Sequence, residues 1–96
     1  MLTSKQRAYL RGLANGIDPV FHVGKQELTP QFTEAINEIL EKRELIKIDV
    51  LKNCMMEPKE IADILHERTK SEVVQVIGKK IVLYRPAKKK PVIELP

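Results

Sequence analysis

The residues of this 96-residue chain that could do chemistry are mostly cationic. Gly24-Lys25-Gln26-Glu27 separates a short apolar run, Val20 to Val23, from a helix start at Thr29-Pro30. A glycine lets another backbone come close. The first turn of a helix offers unpaired N–H groups at the positive end of its dipole. With Lys25 in the same loop, this segment is either a place where a phosphate approaches or simply a tight turn. His22, His66 and Cys54 are the candidates for proton transfer, metal ligation or nucleophilic attack, but no metal-ligand spacing relates them. Neither a Gly-x-Ser-x-Gly elbow nor a Gly-x-x-x-x-Gly-Lys-Ser/Thr phosphate loop occurs. The carboxylates are spread along helix faces, where they serve solvation. The chain is therefore expected to work without catalysis, metal or cofactor, with Cys54 structural or incidental.

The cations are unevenly placed. Seventeen Lys and Arg against thirteen Asp and Glu give a net charge of +4. Residues 1–26 hold Lys5, Arg7, Arg11 and Lys25 against one acid, Asp18. Residues 73–96 hold Lys79, Lys80, Arg85 and Lys88 to Lys90 against Glu94 alone, and the acids concentrate between. If the two ends meet in space they form one cationic face, which attracts polyanions. Otherwise they are a solvated surface with a basic tail.

The elements that must position these groups follow from local pattern. Thr3-Ser4-Lys5-Gln6 matches a capping box, and Leu10, Leu13 and Ala14 then share a face, so a helix is predicted over 4–15 with Asn15-Gly16 as its stop. Arg7 and Arg11 lie one turn apart, away from Leu10 and Leu13. Pro19 to Val23 reads as a short strand. Thr29 caps a second helix with Pro30 at its first position and an apolar stripe of Phe32, Ala35, Ile36, Ile39 and Leu40. Leu45 to Leu51 alternates, with Lys47 and Asp49 on the polar face. Glu57-Pro58 opens a third helix with Ile61, Ile64 and Leu65 inward. Val73 to Ile77 and Ile81 to Tyr84 form two strands around a Gly78-Lys79 turn of the type II′ kind, and Pro86 ends the last. The predicted fold is an α/β single compact domain in α-β-α-β-α-β-β order, with a four-stranded mixed sheet. Residues 1–86 form the domain and 87–96 an extended basic tail.

At 43% hydrophobic and 31% charged residues the composition is globular. One cysteine excludes an internal disulfide and suits a reducing compartment. The apolar run Ile81 to Tyr84 is far too short to span a membrane, and the start of the chain lacks an apolar signal segment. A cytoplasmic monomer is expected.

Four separated stretches carry a resemblance. They are Leu2-Thr3-Ser4-Lys5-Gln6-Arg7-Ala8-Tyr9-Leu10-Arg11, Pro19-Val20-Phe21-His22-Val23-Gly24-Lys25, Glu44-Leu45-Ile46-Lys47 and Val74 to Pro86. In this order and spacing they resemble the CRM domain (chloroplast RNA splicing and ribosome maturation) in its stand-alone, YhbY-like bacterial form, over residues 2 to 86. The resemblance implies a fold similar to the C-terminal domain of translation initiation factor three, and RNA binding without catalysis. It also implies association with ribosomal RNA in precursors of the large ribosomal subunit during ribosome biogenesis. Plant relatives carry the domain in group II intron splicing factors. It implies further that a Gly-x-x-Gly loop between the first strand and the next helix contacts RNA, similar to the KH loop that clamps a nucleic-acid backbone.

The RNA-contacting residues expected on these grounds are Gly24, Lys25, Gln26, Glu27 and Thr29 in the loop and helix start. Lys5, Arg7 and Arg11 are expected from the first helix, and Lys79, Lys80 and Arg85 from the last hairpin. Lys88 to Lys90 are expected to add untargeted electrostatic attraction. Glu27 stands where the second loop glycine is expected, bringing a negative charge to the phosphate approach. Glu27→Gly is therefore expected to strengthen RNA binding, and unchanged or weaker affinity at fixed salt would count against a phosphate approaching this loop. Only Tyr9, Phe21, Phe32 and Tyr84 are aromatic, too few for a base-stacking platform, so recognition of RNA shape and backbone with strong salt dependence is expected. The rival expectation is a protein-interaction module that docks on a ribosomal protein or assembly factor through Glu34, Glu38 and Glu41.

Overall fold

In the computed structural model, which describes residues 2–25 and 28–96, the capping box opens α1 (Ser4–Ala14) as its residue types require. The Thr3 hydroxyl accepts from the Gln6 amide at 3.1 Å, and the Gln6 side chain accepts from the Thr3 amide at 3.0 Å. Leu10 and Ala14 are buried, whereas Leu13, expected beside them, is largely exposed at the helix margin. Nor does the helix end on a left-handed Gly16. Asn15 stays right-handed, and the Gly16 and Ile17 amides bond to carbonyls three residues back, tightening the last turn instead.

β1 (Phe21–Val23), α2 (Pro30–Arg43), β2 (Leu45–Val50), α3 (Pro58–Thr69), β3 (Glu72–Ile77) and β4 (Lys80–Tyr84) complete the expected order. The sheet runs β1-β2-β4-β3. β1 and β2 are parallel, and β4 is antiparallel to both β2 and β3. β2 and β3 therefore run the same way with β4 inserted between them. Gly78 has a φ of +56° while Lys79 keeps a negative φ, the combination that a type II′ turn requires.

The seven elements make one compact domain with two apolar layers. On one face of the sheet, Val23, Ile46, Ile48, Val50, Ile81 and Leu83 pack under Ile36 and Leu40 of α2 and Ile61, Ala62 and Leu65 of α3. Phe21 and Phe32 meet edge-on at 5.4 Å at its margin. On the other face, Leu45, Val74, Val82 and Tyr84 pack under Leu10 and Ala14 of α1. Val74 reaches this layer by strand alternation from Val73, which pairs with Leu83 on the first face, and the irregularity that follows places Gln75 opposite Val82. Ile93 and Leu95 close the same layer from the far end of the chain.

That closure depends on Glu44. It caps α2 with its amide donating to the Leu40 carbonyl at 2.9 Å, at a φ of +67° where helices usually place glycine. Only 1% of the residue is exposed. Its carboxylate accepts the Ala87 amide on Oε2 at 2.7 Å and the Val92 and Ile93 amides on Oε1 at 2.8 Å each. Burial pushes the carboxyl up, but these three donors outweigh it and hold Glu44 below the ordinary carboxylate range. Burial, and then the nearby Glu44 charge, push the Tyr84 phenol up. Residues 87–96, read from sequence as an extended tail, thus lie fastened along the domain.

Candidate nucleic-acid interface

Two adjacent parallel strands end on the same side of a sheet, so the loops that follow them lie side by side there. Here these are the Gly24-Lys25 turn after β1 and the Leu51–Asn53 turn after β2. The Leu51 amide donates to the Val23 carbonyl at 2.8 Å, and the Val50 amide to the Lys79 carbonyl at 2.7 Å. The β3–β4 hairpin is thereby drawn to the same end. Gly24 faces side chains of the loop after β2. A Cβ on it would sit 3.3 Å from the Asn53 Oδ1 and 3.4 Å from Leu51 Cδ1. On that side, the space beside Gly24 is bordered by the Asn53 and Leu51 side chains of the chain's own neighbouring loop.

Three exposed lysines, Lys25, Lys52 and Lys79, project from these three loops. Across the open end of the second sheet face runs a row of paired positions: His22 opposite Asp49, and Asp49 opposite Lys80. Lys80 Nζ lies 2.8 Å from Asp49 Oδ1, and His22 Nε2 lies 4.0 Å from Oδ2. Lys47, two residues before Asp49, stands on the same face by strand alternation. Among the described residues, the strands and loops at this end of the sheet thus carry Lys25, Lys47, Lys52, Lys79 and Lys80, with the Asp49 carboxylate paired to Lys80.

Of the other expected residues, Lys5 and Arg11 are exposed on α1. Arg7 is half-buried and donates to the carbonyls of Val73 and Val74, the latter at 3.4 Å. Arg85 is directed into the domain. Its side chain is 15% exposed and donates to Asn37 Oδ1 at 2.8 Å, the Asn37 carbonyl at 2.9 Å and the Thr69 carbonyl at 2.6 Å. It also lies 3.6 Å from Glu41. The Thr29 hydroxyl is spent on capping α2, accepting from the Phe32 amide at 3.0 Å. Gln26 and Glu27 lie outside the described residues. Lys47, Lys52 and Asn53 were missed from sequence. Lys47 was readable from the polar side of the β2 alternation, but nothing local pointed to the other two.

The remaining chemistry-bearing groups are dispersed. His66 contacts the Ser71 carbonyl through Nδ1, and Cys54 is half-buried against the first apolar layer. Among the described residues no group of three His, Cys, Asp or Glu comes together as a metal site would need. Among them, too, no helix is long and apolar enough to cross a membrane. Of the acidic trio on α2, Glu34 and Glu38 are exposed, whereas Glu41 accepts the Lys88 amide at 3.0 Å and faces Arg85.

A family model described as the CRS1 / YhbY (CRM) domain matches residues 2–85. The Bacillus subtilis protein YqeI, named a probable RNA-binding protein, is 44% identical over 96 residues, the full length of both chains. A Haemophilus influenzae protein named RNA-binding protein is 36% identical over 95 residues, covering 99% of this chain and 95% of that one. The solution structure of a hypothetical Staphylococcus aureus protein, described as a candidate for RNA binding, superposes with a TM-score of 0.82. It has 51% identity and covers all of both chains.

Proposed function

Because the chain belongs to the CRS1 / YhbY (CRM) domain family, we propose that it binds RNA, specifically ribosomal RNA within precursors of the large ribosomal subunit. It would do so without catalysis, by contacts to the RNA backbone. The observation that carries this reading is that, among the described residues, Lys25, Lys47, Lys52, Lys79 and Lys80 all stand on the strands and loops at one end of the sheet, only Lys80 among them paired with Asp49. Lysine ammonium groups of this kind neutralise phosphates and release counterions, which makes affinity fall steeply with salt. Lys5 and Arg11 add exposed cations on α1, whose first turn lies against the start of β3. The relatives' names support RNA as the partner class.

The proposal is tested by sedimenting cell lysate through a gradient at low and high salt and blotting for the protein. Co-migration with large-subunit precursors at low salt, lost at high salt, is the expected result. A position at the top of the gradient at low salt would overturn the ribosomal assignment.

A further inference from the structure

The segment after β4 is a loop held at both ends. At its start the Ala87 amide bonds to Glu44 Oε2 and the Lys88 amide to Glu41 Oε2. At its end the Val92 and Ile93 amides converge on Glu44 Oε1. One buried carboxylate thus pins both ends of residues 87–93, and its backbone holds a left-handed φ that a glutamate rarely adopts. What the pinned loop presents is Lys88, Lys89 and Lys90, all exposed.

The loop does not stand alone. Through Lys88 and Glu41 it lies against the last turn of α2, where Lys42 and Arg43 are exposed. Arg43 and Ile93 line one groove. Five cations therefore cluster at the Glu44 end of β2, whereas the Lys25, Lys79 and Lys80 group lies at its Val50 end. Six residues of extended strand separate these ends by about 17 Å. The molecule's longest dimension is 37 Å.

We infer that Lys88, Lys89 and Lys90, with Lys42 and Arg43, form a second phosphate-contacting pole, so that a bound RNA is gripped at both ends of the sheet. This rests on the RNA-binding reading above and adds to it a fixed site where the sequence suggested only diffuse attraction. A pinned loop loses little further conformational freedom on binding, which favours defined contacts over a fluctuating cloud of charge.

The test uses the full chain and a labelled RNA stem–loop long enough to span the molecule, with affinity measured by fluorescence anisotropy over a series of salt concentrations. K88Q/K89Q/K90Q is compared with K59Q/R68Q/K70N, which removes the same charge from α3 and its cap. The loop variant is expected to lower the slope of log K against log salt by about 2, at about 0.7–0.9 per phosphate contact. The α3 variant should keep the wild-type slope. Equal effects of the two variants, or an unchanged slope in the loop variant, would overturn the second pole. Failure of the wild-type chain to bind the RNA at low salt would instead overturn the RNA-binding reading itself. Thermal melting of both variants checks that these exposed substitutions leave the fold intact.

Discussion

Replacing Arg85 with methionine should cost about 3 kcal/mol of stability and leave RNA affinity unchanged wherever the variant is folded. Methionine keeps the packing of the stem but removes the guanidinium that joins α2 to the end of α3. A hydrogen bond to a charged group contributes about 1.5–3 kcal/mol, bonds made by one guanidinium are not additive, and removing the donor leaves buried carbonyls unsatisfied. Three such bonds are lost, to Asn37 Oδ1, Asn37 O and Thr69 O. Loss of one partner of a buried ion pair costs about 3–5 kcal/mol. The lower end applies because Glu41 is partly open to water, which takes over some of its solvation. For a domain this small, with a urea slope near 1–2 kcal/mol per molar, the denaturation midpoint should fall by roughly 2 M. A normal midpoint with a tenfold weaker RNA complex would return Arg85 to the binding surface.

Acid should destabilise this fold through Glu44. Its carboxyl titrates lower in the folded chain than in the unfolded one, whose ordinary value is 4.5. The unfolded state therefore takes up the proton first as pH falls. The stabilisation is complete above the unfolded value and is lost as pH drops through the depressed folded value. Glu44→Gln removes the charge and offers one oxygen where two accept three amides, at a cost of about 2–3 kcal/mol at neutral pH. Urea midpoints measured from neutral pH down to about pH 3 should show a steep acid limb in the wild type and a flatter one in the variant. Parallel limbs would mean that another carboxylate sets the acid response. The same substitution should free the amides of Ala87, Val92 and Ile93 to exchange.

These two residues mark where sequence reading stops. Local signals were legible: the Thr3 and Gln6 capping box, the Thr29-Pro30 helix start, the alternation of β2 and the Gly78 turn all act over a few residues. Arg7 and Arg85 looked like surface charge because composition reports sign and not direction, and no local signal singled out Glu44. Their partners are carbonyls and amides of segments distant in sequence, and backbone groups are the same in every sequence. Gly24 was legible as a point of close approach, but Asn53, which does the approaching, was not. The placement of β4 between β2 and β3 depends on long-range pairing that a strand pattern alone does not encode. Of the candidate interface, the lysines of the loop and hairpin were visible in the sequence. Their convergence with Lys47 and Lys52 at one sheet end depended on the topology.

The hold of Arg7 on Val73 and Val74 has a consequence for how the molecule behaves in a crowd of copies. The sheet ends in β1 on one side and β3 on the other. Open strand edges are templates on which a second chain can continue the ladder. β1 is only three residues long and follows Pro19, which offers no amide. β3 is twice as long, and Ile77 near its end is 59% exposed. It is interrupted between Val73 and Gln75, carries a guanidinium on two of its carbonyls, and runs into Lys79 and Lys80 at the hairpin. A break in register, an occupied acceptor pair and a charged tip each discourage edge-to-edge growth. The arginine that sequence assigns to RNA thus helps to keep the sheet at four strands.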